Sequence, residues 1–125
     1  MINLDYRDRR SLHEQIECGF RDLIVSGILQ TDEKLPSVRE LSISLTVNPN
    51  TVQKAYKKLE LDGYIYSIKG KGNFVAAAKD IAQNNKTGEL YEVLKQTLRE
   101  LMFLGESKEE IWTLVNNIYK EKEEM

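Results

Sequence analysis

Leu35-Pro36-Ser37-Val38-Arg39-Glu40-Leu41, followed by Thr46-Val47-Asn48-Pro49-Asn50-Thr51-Val52, is the stretch on which the fold turns. Pro36 biases Leu35 toward an extended backbone. Ser37, with Glu40 three residues on, has the form of a capping box, in which the serine oxygen and the glutamate each satisfy a free amide of the first turn. A short helix is predicted from there, with Val38, Leu41 and Leu45 turned inward. Asn48 reads as the cap of a second helix with Pro49 at its first position, where a missing N–H costs nothing. That helix is expected to run to about Asp62, to bury Val52, Ala55, Tyr56 and Leu59, and to stop at Gly63. Two helices joined by the Thr46-Val47 turn make a helix-turn-helix.

The flanks complete a known layout. Upstream, Ser11-Leu12-His13-Glu14 repeats the capping pattern and opens a helix to about Ser26. Leu12, Ile16, Phe20, Leu23 and Ile24 share its inner face, and Gly27 ends it. Downstream the period changes: Tyr64-Ile65-Tyr66-Ser67-Ile68 is rich in β-formers, Lys69-Gly70-Lys71-Gly72 is a turn, and Asn73-Phe74-Val75 is the return strand. Ile2-Asn3-Leu4 is expected to add a third strand. The fold class is therefore mainly α with a small β-wing: an N-terminal winged helix-turn-helix over residues 1–78 and a C-terminal α-helical hairpin over 79–125.

In the tail, Leu90, Leu94, Leu98 and Leu101 recur on one helix, with Tyr91 and Met102 beside them. Gly105 breaks that helix, and Ser107-Lys108-Glu109-Glu110 caps the next, whose inner face is expected to carry Ile111, Leu114, Val115 and Ile118. With Phe103 and Trp112 added, this is more apolar surface than one helical hairpin buries. A stripe of that kind needs a partner, so Leu90, Leu94, Leu98, Leu101, Ile111, Leu114 and Ile118 are assigned to dimerisation. The competing reading folds the hairpin back on its own winged helix. Two starts for the first tail helix stay open, near Lys79 or after Gly88, because Asn84-Asn85-Lys86-Thr87-Gly88 is turn-like.

Composition bounds the rest. The 125 residues, 41% hydrophobic, suit one domain with a small appendage. The net charge of −2 hides an asymmetry: residues 1–79 hold 12 Lys and Arg against 10 Asp and Glu, and residues 80–125 hold 6 against 10. Cys18 is the only cysteine, which excludes an internal disulfide and fits a reducing compartment. Met1-Ile2-Asn3-Leu4-Asp5 lacks the apolar run of a signal peptide, and no segment approaches the ~20 apolar residues that span a bilayer. A cytoplasmic protein without membrane partners is expected. One histidine (His13, read as a surface residue) and one cysteine are too few ligands for a transition metal, and no cofactor is expected. A phosphate loop would need glycine where Ile65 stands and Ser or Thr in place of Gly72. Nothing points to an enzyme.

The run from Leu35 to Leu41, then Val47 to Val52, Ala55-Tyr56, Leu59-Glu60, Gly63-Tyr64 and Gly70-Lys71-Gly72-Asn73-Phe74-Val75 resembles the DNA-binding domain of GntR-family regulators, in order and at family spacing. The Val-Asn-Pro-Asn-Thr-Val form with a short tail is similar to the YtrA subfamily, whose members carry a two-helix dimerisation tail. Ser11 and His13 depart from the family's common Pro and Tyr in a structural region. The resemblance implies a repressor that binds a palindromic operator in double-stranded DNA as a homodimer, controlling its own operon and a neighbouring transporter.

On that layout the N-terminal part of the recognition helix enters the major groove. Asn48, Asn50 and Thr51 stand there, with side chains that hydrogen-bond bases or phosphates; Asn48 is a cap, a DNA contact, or both. Lys54, Lys57 and Lys58 follow on the outer side and suit phosphates. Ser37 and Arg39 sit at the start of the preceding helix, and Arg39 resembles a DNA-contacting arginine of the family. Lys69, Gly70 and Lys71 tip the wing. The contrasting reading is a winged-helix protein-interaction module that no longer binds DNA. A small-molecule effector, between wing and tail or at the dimer interface, is left open, and no residue set points to one.

Overall fold

The computed structural model describes residues 2–83 and 86–124. Ser11 Oγ accepts the Glu14 amide at 3.3 Å and starts helix α1 (Leu12–Val25). The chain leaves α1 through Gly27, whose φ of 84° closes the turn with the Leu29 amide on the Leu23 carbonyl. Ser37 makes a complete capping box: its Oγ accepts the Glu40 amide at 3.0 Å, and the Glu40 carboxylate accepts the Ser37 amide at 3.4 Å. This opens α2 (Val38–Leu45), which stops at Thr46 in the left-handed conformation, φ 55°. Asn48 Oδ1 accepts the Asn50 amide at 2.8 Å and, with Pro49 in the first turn, begins α3 (Pro49–Leu61).

Ile16 and Phe20 of α1, Leu41 of α2, and Val52, Ala55, Tyr56 and Leu59 of α3 meet in one core, closed below by Leu29, Leu35, Tyr64, Ile65 and Val75. Phe20 meets the Tyr56 ring edge-on at 5.6 Å, a favoured aromatic geometry. Burial, reinforced by the charge of Glu40, pushes the Tyr56 phenol above its ordinary range. It therefore stays protonated and donates to the Pro36 carbonyl at 2.7 Å.

The wing pairs β1 (Ile65–Ile68) with β2 (Gly72–Val75) in antiparallel register, Ile65 opposite Val75 and Tyr66 opposite Phe74. The expected third strand from Ile2-Asn3-Leu4 is not there. The loop before α2 takes that edge instead: Leu35 donates to Asn73, Val75 donates to Glu33, Asp32 donates to Val75, and Lys34 bridges Phe74. The N-terminal segment is held against α1 by Gln15. This buried amide accepts the Asp5 N–H at 2.8 Å and donates to the Asp5 and Arg10 carbonyls. Ile2 fills the notch at Gly19, where a Cβ would lie 2.7 Å from Ile2 Cδ1. Ile2 and Leu4 thus cover the core rather than extend the sheet.

A short helix, α4 (Ala78–Gln83), follows, and Ile81 packs on the same core. The chain divides into two compact units, Met1–Lys86 and Thr87–Met125. The boundary read from sequence at 78/79 differs by this helix, which Ile81 holds to the first unit.

In the second unit α5 (Lys86–Phe103) is followed by α6 (Lys108–Glu124). Of the two starts left open for the first helix after the wing, the one near Lys79 is met by α4, which begins at Ala78. A start after Gly88 is not, because Lys86, Thr87 and Gly88 are already helical; Asn84 and Asn85 lie outside the described residues. Gly105, φ 91°, makes the turn, and Ser107 Oγ accepts the Glu110 amide at 3.2 Å. Among the described residues, no run of close backbone approach joins α5 to α6 along their length, and none of their described side chains is fully buried.

Candidate nucleic-acid interface

The interface is built on α3, because its buried stripe fixes which residues face out. With Val52, Ala55, Tyr56 and Leu59 in the core, helical spacing leaves Asn50, Lys54 and Lys57 on the opposite face and Gln53 on its flank, all exposed. Thr51 is half-buried at the edge. Gln53 was missed in the sequence. Its exposure and its position three residues beyond Asn50, on the flank between Asn50 and the buried Tyr56, are the signal that marks it. A glutamine amide offers a paired donor and acceptor that match an adenine edge.

Asn48 is exposed, with its carbonyl oxygen on the Asn50 amide. The cap uses the oxygen alone, so its NH₂ group is left to donate outward. Ser37 is similar: its oxygen accepts in the cap, and its hydroxyl proton is available to an anion. Arg39 projects from the first turn of α2 and is exposed.

At the wing turn, Lys69, Gly70 and Lys71 are all exposed. Gly70 has φ 79°, and a Cβ there would meet nothing within 4 Å. Its glycine serves the turn and leaves the tip smooth. Between α3 and the wing lies a polar groove lined by Gln53, Lys57, Glu60, Ser67 and Asn73. The Ser67 hydroxyl donates to Glu60 at 2.7 Å across it, tying the wing to the recognition helix.

The electrostatics separate these cations from others. Arg39, Lys54, Lys57, Lys69 and Lys71 have no ion-pair partner among the described residues. By contrast Arg10 pairs with Asp8, Arg21 with Glu17 and Lys95 with Glu92. Lys58 differs from its neighbours: its ammonium lies 3.2 Å from Asp62 Oδ1, one turn on.

The residues assigned to dimerisation fall into two groups. Leu98, Leu101 and Ile111 are half-buried near the α5–α6 turn, and Val115 joins them. Leu90, Leu94, Leu114 and Ile118 are each 50–55% exposed. The inner face expected of α6 is thus carried by Ile111 and Val115; Leu114 and Ile118 lie off it. Leu98, Met102, Ile111, Trp112 and Val115 line an apolar cavity at the turn.

Elsewhere, Arg21 Nη2 approaches Cys18 Sγ at 3.2 Å, and His13 lies within hydrogen-bond distance of Ser11. Among the described residues no cluster of His, Cys, Asp or Glu is arranged to hold a metal, and no helix is long and apolar enough to cross a membrane.

Comparison with known proteins places this geometry. Residues 12–75 match the family described as bacterial regulatory proteins, gntR family. The chain is 36% identical over 119 residues to the HTH-type transcriptional repressor YtrA of Bacillus subtilis (strain 168), covering 94% of this chain and 92% of that one. A crystal structure from Listeria monocytogenes EGD-e, described as a transcriptional antiterminator, superposes with a TM-score of 0.77 at 35% identity, covering 95% of this chain and 90% of that one. The DNA-binding domain of AraR, solved in complex with operator ORE1, superposes with a TM-score of 0.53 at 29% identity, covering 61% of this chain and 93% of that one. The family and the first two of these relatives are described as regulators, the relatives as regulators of transcription. The chain belongs to the gntR family of bacterial regulatory proteins and carries its winged helix-turn-helix.

Proposed function

We propose that this regulator is a repressor that binds a palindromic operator as a homodimer, with α3 in the major groove and the wing on the adjacent backbone. The observation that carries the reading is the exposed face shared by α3, the first turn of α2 and the wing. On it Arg39, Lys54, Lys57, Lys69 and Lys71 stand without ion-pair partners beside the amides of Asn48, Asn50 and Gln53. Cations kept free of carboxylates are available to phosphates, whose counterions they release. Amides at the start of a recognition helix supply base readout. The operator complex of the AraR domain supports the same use of the fold.

The dimer rests on the second unit. Helices that leave Leu90, Leu94, Leu114 and Ile118 half-exposed or more gain stability when a second copy covers them, at roughly 25 cal/mol per Å² of apolar surface. A two-fold protein matches a palindrome, and tethering two half-site readers raises affinity by avidity of ~10²–10⁴. A repressor of chromosomal genes works in the cytoplasm. A small-molecule effector is not assigned to any residue set.

Fluorescence anisotropy with the promoter upstream of the protein's own gene, together with sedimentation of the full chain, tests this. A dimer that protects a two-fold symmetric site is expected. A monomer, or no binding to that promoter or to any duplex enriched from a randomised library, would overturn it in favour of a protein-interaction module.

A further inference from the structure

We infer that Lys34 is a further DNA-contacting residue: its side chain lies across Gly72 beside the wing turn and adds an ammonium to the phosphate-binding surface there. The inference deepens the DNA-binding reading above and rests on it.

The placement follows from backbone pairing. Lys34 stands opposite Phe74 on the free edge of β2, held between the Leu35–Asn73 and Val75–Glu33 hydrogen bonds, each 2.9 Å. Residues opposite one another in an antiparallel pair share a face, and a long side chain reaches the diagonal neighbour two residues along. That neighbour is Gly72. A Cβ on Gly72 would lie 3.0 Å from Lys34 Cε and 3.8 Å from its Nζ, so the stem occupies the space a side chain would take. Lysine stems lie along surfaces in this way while the charged head stays in water. Lys34 is exposed, and Gly72 directly follows Lys71 in the wing turn.

The charge is also uncompensated. Among the described residues Lys34 has no ion pair. The acids beside it in sequence are engaged: Asp32 accepts the Tyr66 hydroxyl at 2.7 Å, and Glu33 accepts the Gln30 amide at 3.3 Å. An ammonium beside the turn of Lys69 and Lys71, with no acid of its own, suits an incoming anion. Lysine is a point charge without the planar fork that reads guanine, so the contact is to a phosphate and positions the duplex without reading its sequence.

The test uses the full chain and a labelled duplex enriched from a randomised library on the wild-type protein. Binding is measured against salt for wild type, Lys34→Met, Lys34→Gln and Lys34→Arg, with circular dichroism to confirm folding. Met keeps the stem and removes the charge. The neutral variants should bind more weakly, with the slope of log K on log salt shallower by about 0.9 per protomer and the ranking of sequences unchanged. Arg should retain the wild-type slope. A folded neutral variant with the wild-type slope overturns the role of Lys34 while leaving the DNA-binding reading intact. Failure of the wild type to enrich any duplex overturns both.

Discussion

The Tyr56 hydroxyl of α3 donates to the Pro36 carbonyl at 2.7 Å, so the recognition helix is pinned to the turn that launches α2. Tyr56→Phe keeps the ring packing against Phe20 and removes only this bond. The half-buried Pro36 carbonyl is then left without its donor, and stability should fall by about 1–2 kcal/mol. Urea denaturation measures the loss; an unchanged midpoint would mean that water replaces the bond at no cost.

The same residue makes a pH prediction. Burial first, and Glu40 second, raise the folded-state phenol above its ordinary 10.0. A raised value means the folded state holds the proton where the unfolded state releases it. The associated stability is therefore complete below about pH 10 and declines as pH rises beyond it. Wild type should lose stability in that alkaline range more steeply than Tyr56→Phe. Parallel curves for the two proteins would contradict the buried, hydrogen-bonded phenol.

The two wing glycines should respond differently to alanine. Both have positive φ, 79° at Gly70 and 123° at Gly72, but only at Gly72 would a Cβ meet another atom, Lys34 Cε at 3.0 Å. Gly70→Ala should cost about 1–2 kcal/mol from its left-handed backbone. Gly72→Ala should cost more, because strain and the displaced lysine stem add. Thermal melts of the two variants decide it, and equal shifts would show that the Lys34 stem moves aside freely.

Readout and positioning should separate on α3. Asn50→Ala and Gln53→Ala should each cost ~1–3 kcal/mol at a single base-pair position and relax preference there. Arg39→Ala should weaken the selected operator by a similar ~1–3 kcal/mol. Lys54→Ala and Lys57→Ala should weaken all sequences alike and flatten the salt dependence, each by about 0.9 for the phosphate that is no longer neutralised. Lys58→Ala should do less, since its ammonium is held at Asp62. Library selections on each variant distinguish the classes, and a uniform weakening for Gln53→Ala would move that residue from bases to phosphates.

For the tail, a chain ending at Lys86 keeps α4 with the core that Ile81 joins. It should be a folded monomer that binds a palindromic site roughly a hundredfold more weakly, the low end of the avidity range. Leu98→Glu in the full chain should act the same way, by placing an unpaired carboxylate in an apolar interface. Sedimentation and anisotropy report both, and a truncated chain that still dimerises would remove the tail from that role.

Helices and caps were legible in the sequence because their bonds are local. Ser11, Ser37 and Ser107 each meet an amide three residues ahead, Asn48 meets one two residues ahead, and such pairs stand side by side in the chain. The outward face of α3 follows from the same periodicity once Val52, Tyr56 and Leu59 are assigned inward. The partner of β2 was not legible, because pairing distant segments depends on which one the packed core delivers to the free edge. Gln15 and the Gly19 notch hold Ile2-Asn3-Leu4 on α1, so Asp32–Leu35 takes the edge. That one tertiary choice lays Lys34 across Gly72. Tertiary geometry likewise decided that Val115, rather than Leu114 or Ile118, shelters at the α5–α6 turn. Helical period fixes the angle between side chains around an axis, whereas the direction from which the neighbouring helix approaches is set by the turn at Gly105.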